Sequence, residues 1–161
     1  MLLIVAVDKN WAIGKNNDLL IPNLKPDKQF FRAQTLNKTM IIGRKTLESF
    51  PKPLKDRRVI TITRNQAYEP LFGEKASSIE EALEMVKETS DDEIFVAGGG
   101  EIYKALLPYC NKALVTKIDE SYEADTYFPN LDESEEWVMT EEGEMQNYEG
   151  VNYKFTTYSR K

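Results

Sequence analysis

Four short apolar runs set the terms for any fold of this chain: Leu2 to Val7, Met40 to Ile42, Val59 to Thr63 and Ile94 to Ala97. Each is rich in Val and Ile, bounded by Gly, Asp or Pro, and too short for a typical helix. Side chains of a strand point alternately to its two faces, so a run that is apolar throughout is buried on both. Strands of that kind belong to a parallel sheet covered by helices on either side, and the intervening segments supply the helices. Pro26 to Leu36 is one, with Pro26 in its first turn, where a missing N–H costs nothing. Ser78-Ile79-Glu80-Glu81 reads as a capping box, followed by Ile79, Ala82, Leu83 and Val86 at helical spacing. A third helix runs from about Gly100 to Leu107 and stops at Pro108.

The C-terminal part behaves differently. Asn152 to Tyr158 alternates, with Tyr153, Phe155 and Thr157 on one face, and Leu114, Thr116 and Ile118 share a face of an earlier strand. The expected architecture is an α/β sheet, mostly parallel, with an antiparallel strand or pair at one edge. Such sheets bind ligands beyond the carboxyl ends of their strands. Tyr127, Phe128 and the acidic stretch after them read as a solvated edge.

With 161 residues the chain suits a single domain, 1–161. The longest apolar run, Met1 to Val7, is far too short to span a bilayer and lacks the flanks of a signal peptide. The single cysteine, Cys110, has no internal partner, and a reducing cytoplasm is the expected location. There is no histidine, which removes His-dependent nucleophile systems and most zinc sites, so no metal is expected. Proton transfer must then rest on a carboxylate, a lysine, a tyrosine or water. The net charge of −6 argues against nucleic acid, but it is unevenly spread. Lys38 to Arg64 holds eight Lys/Arg and two acids, whereas Asp119 to Glu149 holds twelve acids and no Lys or Arg. Positive charge concentrated in an acidic protein suits a small anion, or else forms an ordinary solvated face.

Four constellations carry chemistry. Ile94 to Tyr103 runs from a buried strand through Gly98-Gly99-Gly100 into a helix, which suits a phosphate or equally a tight packed turn. It is not the G-x-G-x-x-G fingerprint. Gly43-Arg44-Lys45-Thr46 follows the second strand and Thr63-Arg64 the third. Two arginines at neighbouring strand ends suit a phosphate monoester such as the 2′-phosphate of NADP, or are surface residues on loops. Asp27 and Phe31 lie four apart on one helix, hence on one face, and with Thr116 suit a flat heterocycle with an amino-amidine edge. Asp27 is also where the helix dipole favours an acid for no other reason. Arg57, after the turn at Pro53-Leu54, suits a substrate carboxylate or the solvent.

Taken in order, these segments resemble bacterial dihydrofolate reductases from end to end. The resemblance runs through Ala6-Val7-Asp8, Trp11 to Gly14, Asp27 with Phe30-Phe31, Gly43 to Ser49, Pro53 to Arg57, Gly98 to Tyr103, Thr116-x-Ile118 and Asp125 to Pro129. It implies a three-layer α-β-α fold with a central eight-stranded sheet, four helices and an antiparallel C-terminal strand. It implies a monomeric, NADPH-dependent enzyme that reduces dihydrofolate for one-carbon and thymidylate metabolism and is a target of antifolate inhibitors. Asp27 would be the catalytic carboxylate on the pterin, supported by Thr116. Ile4, Val5, Ala6, Phe31, Phe50 and Leu54 would line the pterin and benzoyl pocket, and Arg57 would hold the glutamate carboxylate. NADPH would lie against Gly43, Arg44, Lys45, Thr46, Thr63 and Arg64. It would also meet Ala6, Ala97, Gly98, Gly99, Gly100, Glu101, Ile102, Tyr103 and Thr126. Ile13, Gly14, Asn17, Asp18 and Leu19 belong to a loop, about Ile13 to Leu24, that would close over the nicotinamide. Gly98 and Gly99 would be joined by a cis peptide.

Two positions depart from the family. Relatives usually read Pro-Trp-x-Leu-Pro-x-Asp-Leu where this chain has Ile21-Pro22-Asn23-Leu24-Lys25-Pro26-Asp27-Lys28, so the tryptophan is absent. Lys28 replaces an apolar side chain on the substrate, either laying its methylenes on the ligand or bonding a folate carboxylate. The rival readings are a pyrimidine reductase of riboflavin biosynthesis and a nucleotide-binding module without chemistry.

Overall fold

The computed structural model describes residues 1–16, 18–20 and 24–161. The expectations on Asn17 and Pro22 lie outside the described residues. Strands β1 (Leu2–Val7), β4 (Thr39–Gly43), β5 (Arg58–Ile62) and β7 (Ile94–Val96) are the four apolar runs, shifted by a residue or so at their ends. With β6 (Glu74–Ala76), β8 (Lys112–Ile118), β10 (Trp137–Glu142) and β12 (Val151–Arg160) they form one mixed sheet. Its order is β10-β12-β8-β1-β7-β4-β5-β6, and the short β11 (Gln146–Tyr148) pairs with β12. From β8 to β6 neighbouring strands are parallel, while β12 and β10 are the antiparallel pair at one edge. A separate small sheet joins β2 (Ala12–Lys15), β3 (Asp18–Leu19) and β9 (Thr126–Tyr127).

Strand alternation divides the core in two. Leu3, Val5, Val7, Ile41 and Ile60 pack with Ala82 and Val86 of helix α3 (Ile79–Met85) or its C-terminal end, and with Tyr103 and Leu106 of α4 (Gly100–Leu106). On the opposite face Ile4, Met40, Ile42 and Val59 meet Phe30 and Phe31 of α1 (Lys25–Thr35) and Leu47 of α2 (Arg44–Glu48). Residues one apart on a strand thus serve different layers, as both-face burial requires. Pro26 is the second residue of α1, and Pro108 lies in a 3₁₀ turn, Leu107–Tyr109, that follows α4.

Two local expectations change in detail. The Glu81 amide donates to Ser78 Oγ at 3.0 Å, as a capping box demands, but the Glu81 carboxylate accepts from the amide and hydroxyl of Ser77 rather than from the Ser78 amide. Phe128 is not at a solvated edge. It is 2% exposed, stacked on Trp11 with centroids 6.1 Å apart and edge-on to Tyr103 at 5.2 Å. Nor is Phe128 alone: Leu131 and Trp137 of the same acidic stretch are buried in the same core.

The sheet divides at β1. Its register with β8 runs six residues, from Leu2–Lys112 to Val7–Lys117, but its register with β7 ends at Leu3–Val96. Beyond Leu3 the two central strands part, and the opening lies at their carboxyl ends.

Candidate active site

A cleft of about 1710 Å³ runs across that opening. Its floor is Ile4, Val5 and Ala6 of β1; one wall is α1 and the loop after α2, the other the glycine turn after β7. Asp27 projects into it from the first turn of α1, because Leu24, 2% exposed, anchors the helix start and accepts from the Asp27 amide at 3.1 Å. Thr116 Oγ1, on the adjoining face of β8, donates to Asp27 Oδ1 at 2.6 Å. Burial raises the proton affinity of this carboxyl above that of an ordinary aspartate, and the Thr116 bond only partly offsets it. Asp27 is therefore a carboxyl held in a fixed orientation, with its charged form disfavoured by burial.

Phe31 lies one turn further along α1 and stacks with Phe50, centroids 5.7 Å apart. With buried Leu54 they make an apolar slot beside Asp27. Arg57 stands at the outer end of this slot. Its Nε donates to the Lys55 carbonyl at 2.9 Å and one terminal nitrogen to Thr35 Oγ1 at 3.3 Å, which fixes the guanidinium plane. Partial burial and the nearby charge of Arg32 both lower its hold on the proton. Lys28 is exposed and lines the same cleft.

The other arm of the cleft is built on glycine. Gly98 and Gly99 are joined by a cis peptide, and Gly98 has φ +109°. A Cβ on Gly99 would come within 2.9 Å of Thr46 Oγ1, and one on Gly100 within 2.6 Å of Thr126 Cγ2. The Gly43 amide donates to the Gly98 carbonyl at 2.7 Å, so the end of β4 and the glycine turn form one surface. Only residues without a side chain let this turn pack so closely on Thr46 and Thr126. Beyond it stand Arg44, Lys45 and Thr46 at the start of α2 and Thr63 and Arg64 after β5. Arg44 pairs with Glu48 at 3.1 Å and lies over the Tyr68 ring at 5.7 Å.

Tyr103 ties the two arms together. It is buried, and its hydroxyl donates to the Ile4 carbonyl at 2.7 Å. Burial and the negative charge of Asp27 drive its acidity far below that of a free phenol, so it remains a donor. At the rim, Asp8 accepts from the amides of Asn10 and Ala12 and, through its second oxygen, from Tyr122. The Asn16 amide donates to Asp125 Oδ2 at 2.9 Å, so the β2 hairpin is tied to the segment before β9.

The cleft therefore gathers Ile4, Val5, Ala6, Ile13, Gly14, Asp27, Lys28, Phe31, Phe50, Leu54 and Arg57. It also gathers Gly43 to Thr46, Thr63, Arg64, Ala97 to Tyr103 and Thr126, with Thr116 directly behind Asp27. Asp18 and Leu19 pair in the backbone with Lys15 and Gly14. Sequence reasoning missed Arg32, Lys52, Lys55, Asn65, Ser77 and Ser78, which also line it. Arg32 had a signal, lying four residues after Lys28 and next to Phe31; the serines, after a three-residue strand, had none.

Comparison with known proteins adds a family. The family model described as dihydrofolate reductase matches residues 1–160. The dihydrofolate reductase of Staphylococcus haemolyticus is 39% identical over 161 residues, covering 98% of this chain and 94% of that protein. That of Bacillus subtilis (strain 168) is 36% identical, with 98% and 93% covered. The similarity extends to the dihydrofolate reductase of Rattus norvegicus, 33% identical over 180 residues, with 98% and 96% covered.

Proposed function

The chain belongs to the dihydrofolate reductase family of oxidoreductases, and on that premise we propose that it reduces 7,8-dihydrofolate to 5,6,7,8-tetrahydrofolate with NADPH, adding hydride at C6 and a proton at N5. The product would feed one-carbon and thymidylate metabolism. The observation that carries this reading is Asp27, half-buried, held by Thr116 and of raised proton affinity, in a cleft whose other arm is a side-chain-free glycine turn.

NADPH, when bound, supplies the hydride. The residues that suit it are Gly43 to Thr46, Thr63, Arg64 and Ala97 to Tyr103, with Ala6, Ile13, Gly14 and Thr126 near the division of the sheet. Gly98, Gly99 and Gly100 line the cleft as bare backbone, with Gly99 and Gly100 packed against Thr46 and Thr126. Arg44 and Arg64 suit a phosphate monoester better than a ribose hydroxyl. Asp27 bonds the amino group and a ring nitrogen of the pterin, and its affinity for a proton favours protonation at N5, with water delivering that proton. Phe31, Phe50 and Leu54 hold the flat rings and exclude solvent, Arg57 clamps the glutamate carboxylate, and Lys28 meets the tail. A flat antifolate with an amidine edge would occupy the same slot. We place the enzyme in the cytoplasm as a monomer, in keeping with its lone buried Cys110.

Loss of NADPH absorbance in the presence of dihydrofolate tests the reading. Rapid oxidation, with NADH much less effective at equal concentration, is the expected outcome. Binding of NADPH without dihydrofolate-dependent oxidation would sink the assignment of substrate.

A further inference from the structure

Among the described residues five other than glycine have positive φ. Asn16, Asn37 and Asp56 are of types that tolerate it, and Glu149 is exposed in a turn. Trp11, at φ +61°, is bulky and buried. It forms the turn between β1 and β2, with its amide bonded to the Asp8 carbonyl at 3.1 Å and its carbonyl accepting from the Phe128 amide at 2.8 Å. Strain of this kind persists only where the surroundings hold it in place. Three groups hold this ring. The indole stacks on Phe128, meets Tyr158 edge-on with centroids 5.8 Å apart, and has the Lys117 ammonium over its face at 5.1 Å. Lys117 is itself fixed. It donates to Asp132 Oδ2 at 2.8 Å and to the Tyr158 hydroxyl at 2.9 Å, while that hydroxyl donates to Asp132 Oδ1 at 2.6 Å. This closed triangle aims a cation at the indole face, which attracts it electrostatically.

Trp11, Lys117, Asp132 and Tyr158 are not among the residues that line the cleft, yet the chain on either side of the contact is. Ala12, Ile13 and Gly14, the next residues after Trp11, stand at its rim. Ile13 Cδ1 lies 3.8 Å from where a Cβ on Gly100 would be, and Gly14 pairs with Thr126, so β2 meets the glycine turn directly. Lys117 follows Thr116 on β8 and points to the opposite face of the sheet, behind the hydroxyl that holds Asp27. We propose that the Lys117–Trp11 contact is a positioning device, a clamp on a strained turn that sets Ile13 and Gly14 over the junction of the two arms of the cleft. Lys117 and Trp11 are thus positioning residues for the hydride step, acting through β2 and touching neither ligand. The inference rests on the reductase reading proposed above and deepens it.

Lys117→Met keeps the stem and removes the charge, whereas Lys117→Arg keeps the charge. Single-turnover oxidation of NADPH by dihydrofolate, with both saturating, reads the chemical step apart from binding and release. In Lys117→Met its rate is expected to fall about tenfold, since small displacements near reacting groups are that costly, while KM for dihydrofolate stays within about twofold. Lys117→Arg should keep the rate within about twofold of the parent's, because a guanidinium serves the indole face equally well. A second readout needs no ligand. In a Trp137→Phe background Trp11 is the only indole, and its emission maximum should shift in Lys117→Met and hold in Lys117→Arg. Four outcomes overturn the clamp and leave the reductase reading intact: a parental rate in Lys117→Met, a lost rate that Lys117→Arg does not restore, an emission maximum indifferent to the charge, or a loss of rate matched by loss of folded protein in calorimetry. Absence of dihydrofolate-dependent oxidation in the parent overturns both.

Discussion

Asp27 shows how one side chain can be placed against its own interest. Its charge is disfavoured by burial, and the Thr116 hydroxyl compensates only in part. A carboxyl whose proton affinity is raised by folding contributes stability below its unfolded pKa and loses it as pH rises through the folded one. Asp27→Asn keeps an oxygen for Thr116 and cannot ionise. Its melting temperature at neutral pH should exceed the parent's, at about 2–4 °C per kcal/mol for a chain of this size, and the difference should close below pH ~4. Its kcat/KM for dihydrofolate should fall by roughly 10²–10⁴, the usual worth of a positioned proton-transfer group. Calorimetry and the absorbance assay check the two halves separately; a variant both less stable and fully active would mean that the carboxyl is structural. That Asp27 and Phe31 share a face was legible from their spacing, and both line the cleft; the role proposed for Asp27 came from the family resemblance, since the helix dipole alone favours an acid there. Arg32 was half-legible: its spacing from Lys28 puts the two on one face of α1, but nothing in a sequence tells that this solvent-facing row lines the cleft.

At the scale of elements, strands buried on both faces announced themselves through unbroken Val and Ile, and β1, β4, β5 and β7 are where the pattern put them. The three-residue β6, the two-residue β3 and β9, and the largely exposed β10 and β11 carry no such pattern, since each depends on a partner strand more than on its own composition. The start of α3 lay between these cases. Ser78 does cap the helix, while Glu81 turns to Ser77. Ser78→Ala should therefore cost about 1 kcal/mol in urea unfolding. Ser77→Ala should cost less, because its loss leaves the Glu81 amide satisfied. Equal costs would show that the Ser77–Glu81 contact matters as much as the cap. Since Ser77 and Ser78 both line the cleft, the same variants also report whether the cap and the cleft share a structural unit.

The whole molecule is two half-sheets sharing β1, with parallel strands to one side and β8, β12 and β10 to the other. A cofactor that lies across the junction binds the folded chain alone, so it must raise the unfolding temperature. At a hundredfold excess over its Kd, NADPH should add about 2.7 kcal/mol, or ~5–10 °C. NADH at the same concentration should add much less if Arg44 and Arg64 read a phosphate. Thermal scans with each cofactor measure the difference, and equal shifts would remove the phosphate role from those arginines.

The early end of the β1–β7 register has a consequence for any molecule that settles there. Past Leu3 the peptide groups on that edge of β1 are no longer matched by the neighbouring strand, and the Ile4 carbonyl already takes its bond from Tyr103. Peptide groups are common to all twenty amino acids. A compound that grips this seam holds what point substitution cannot delete, and heritable escape from it must come from the walls, at Phe31, Phe50 or Leu54, where a changed side chain also reshapes the slot proposed for dihydrofolate.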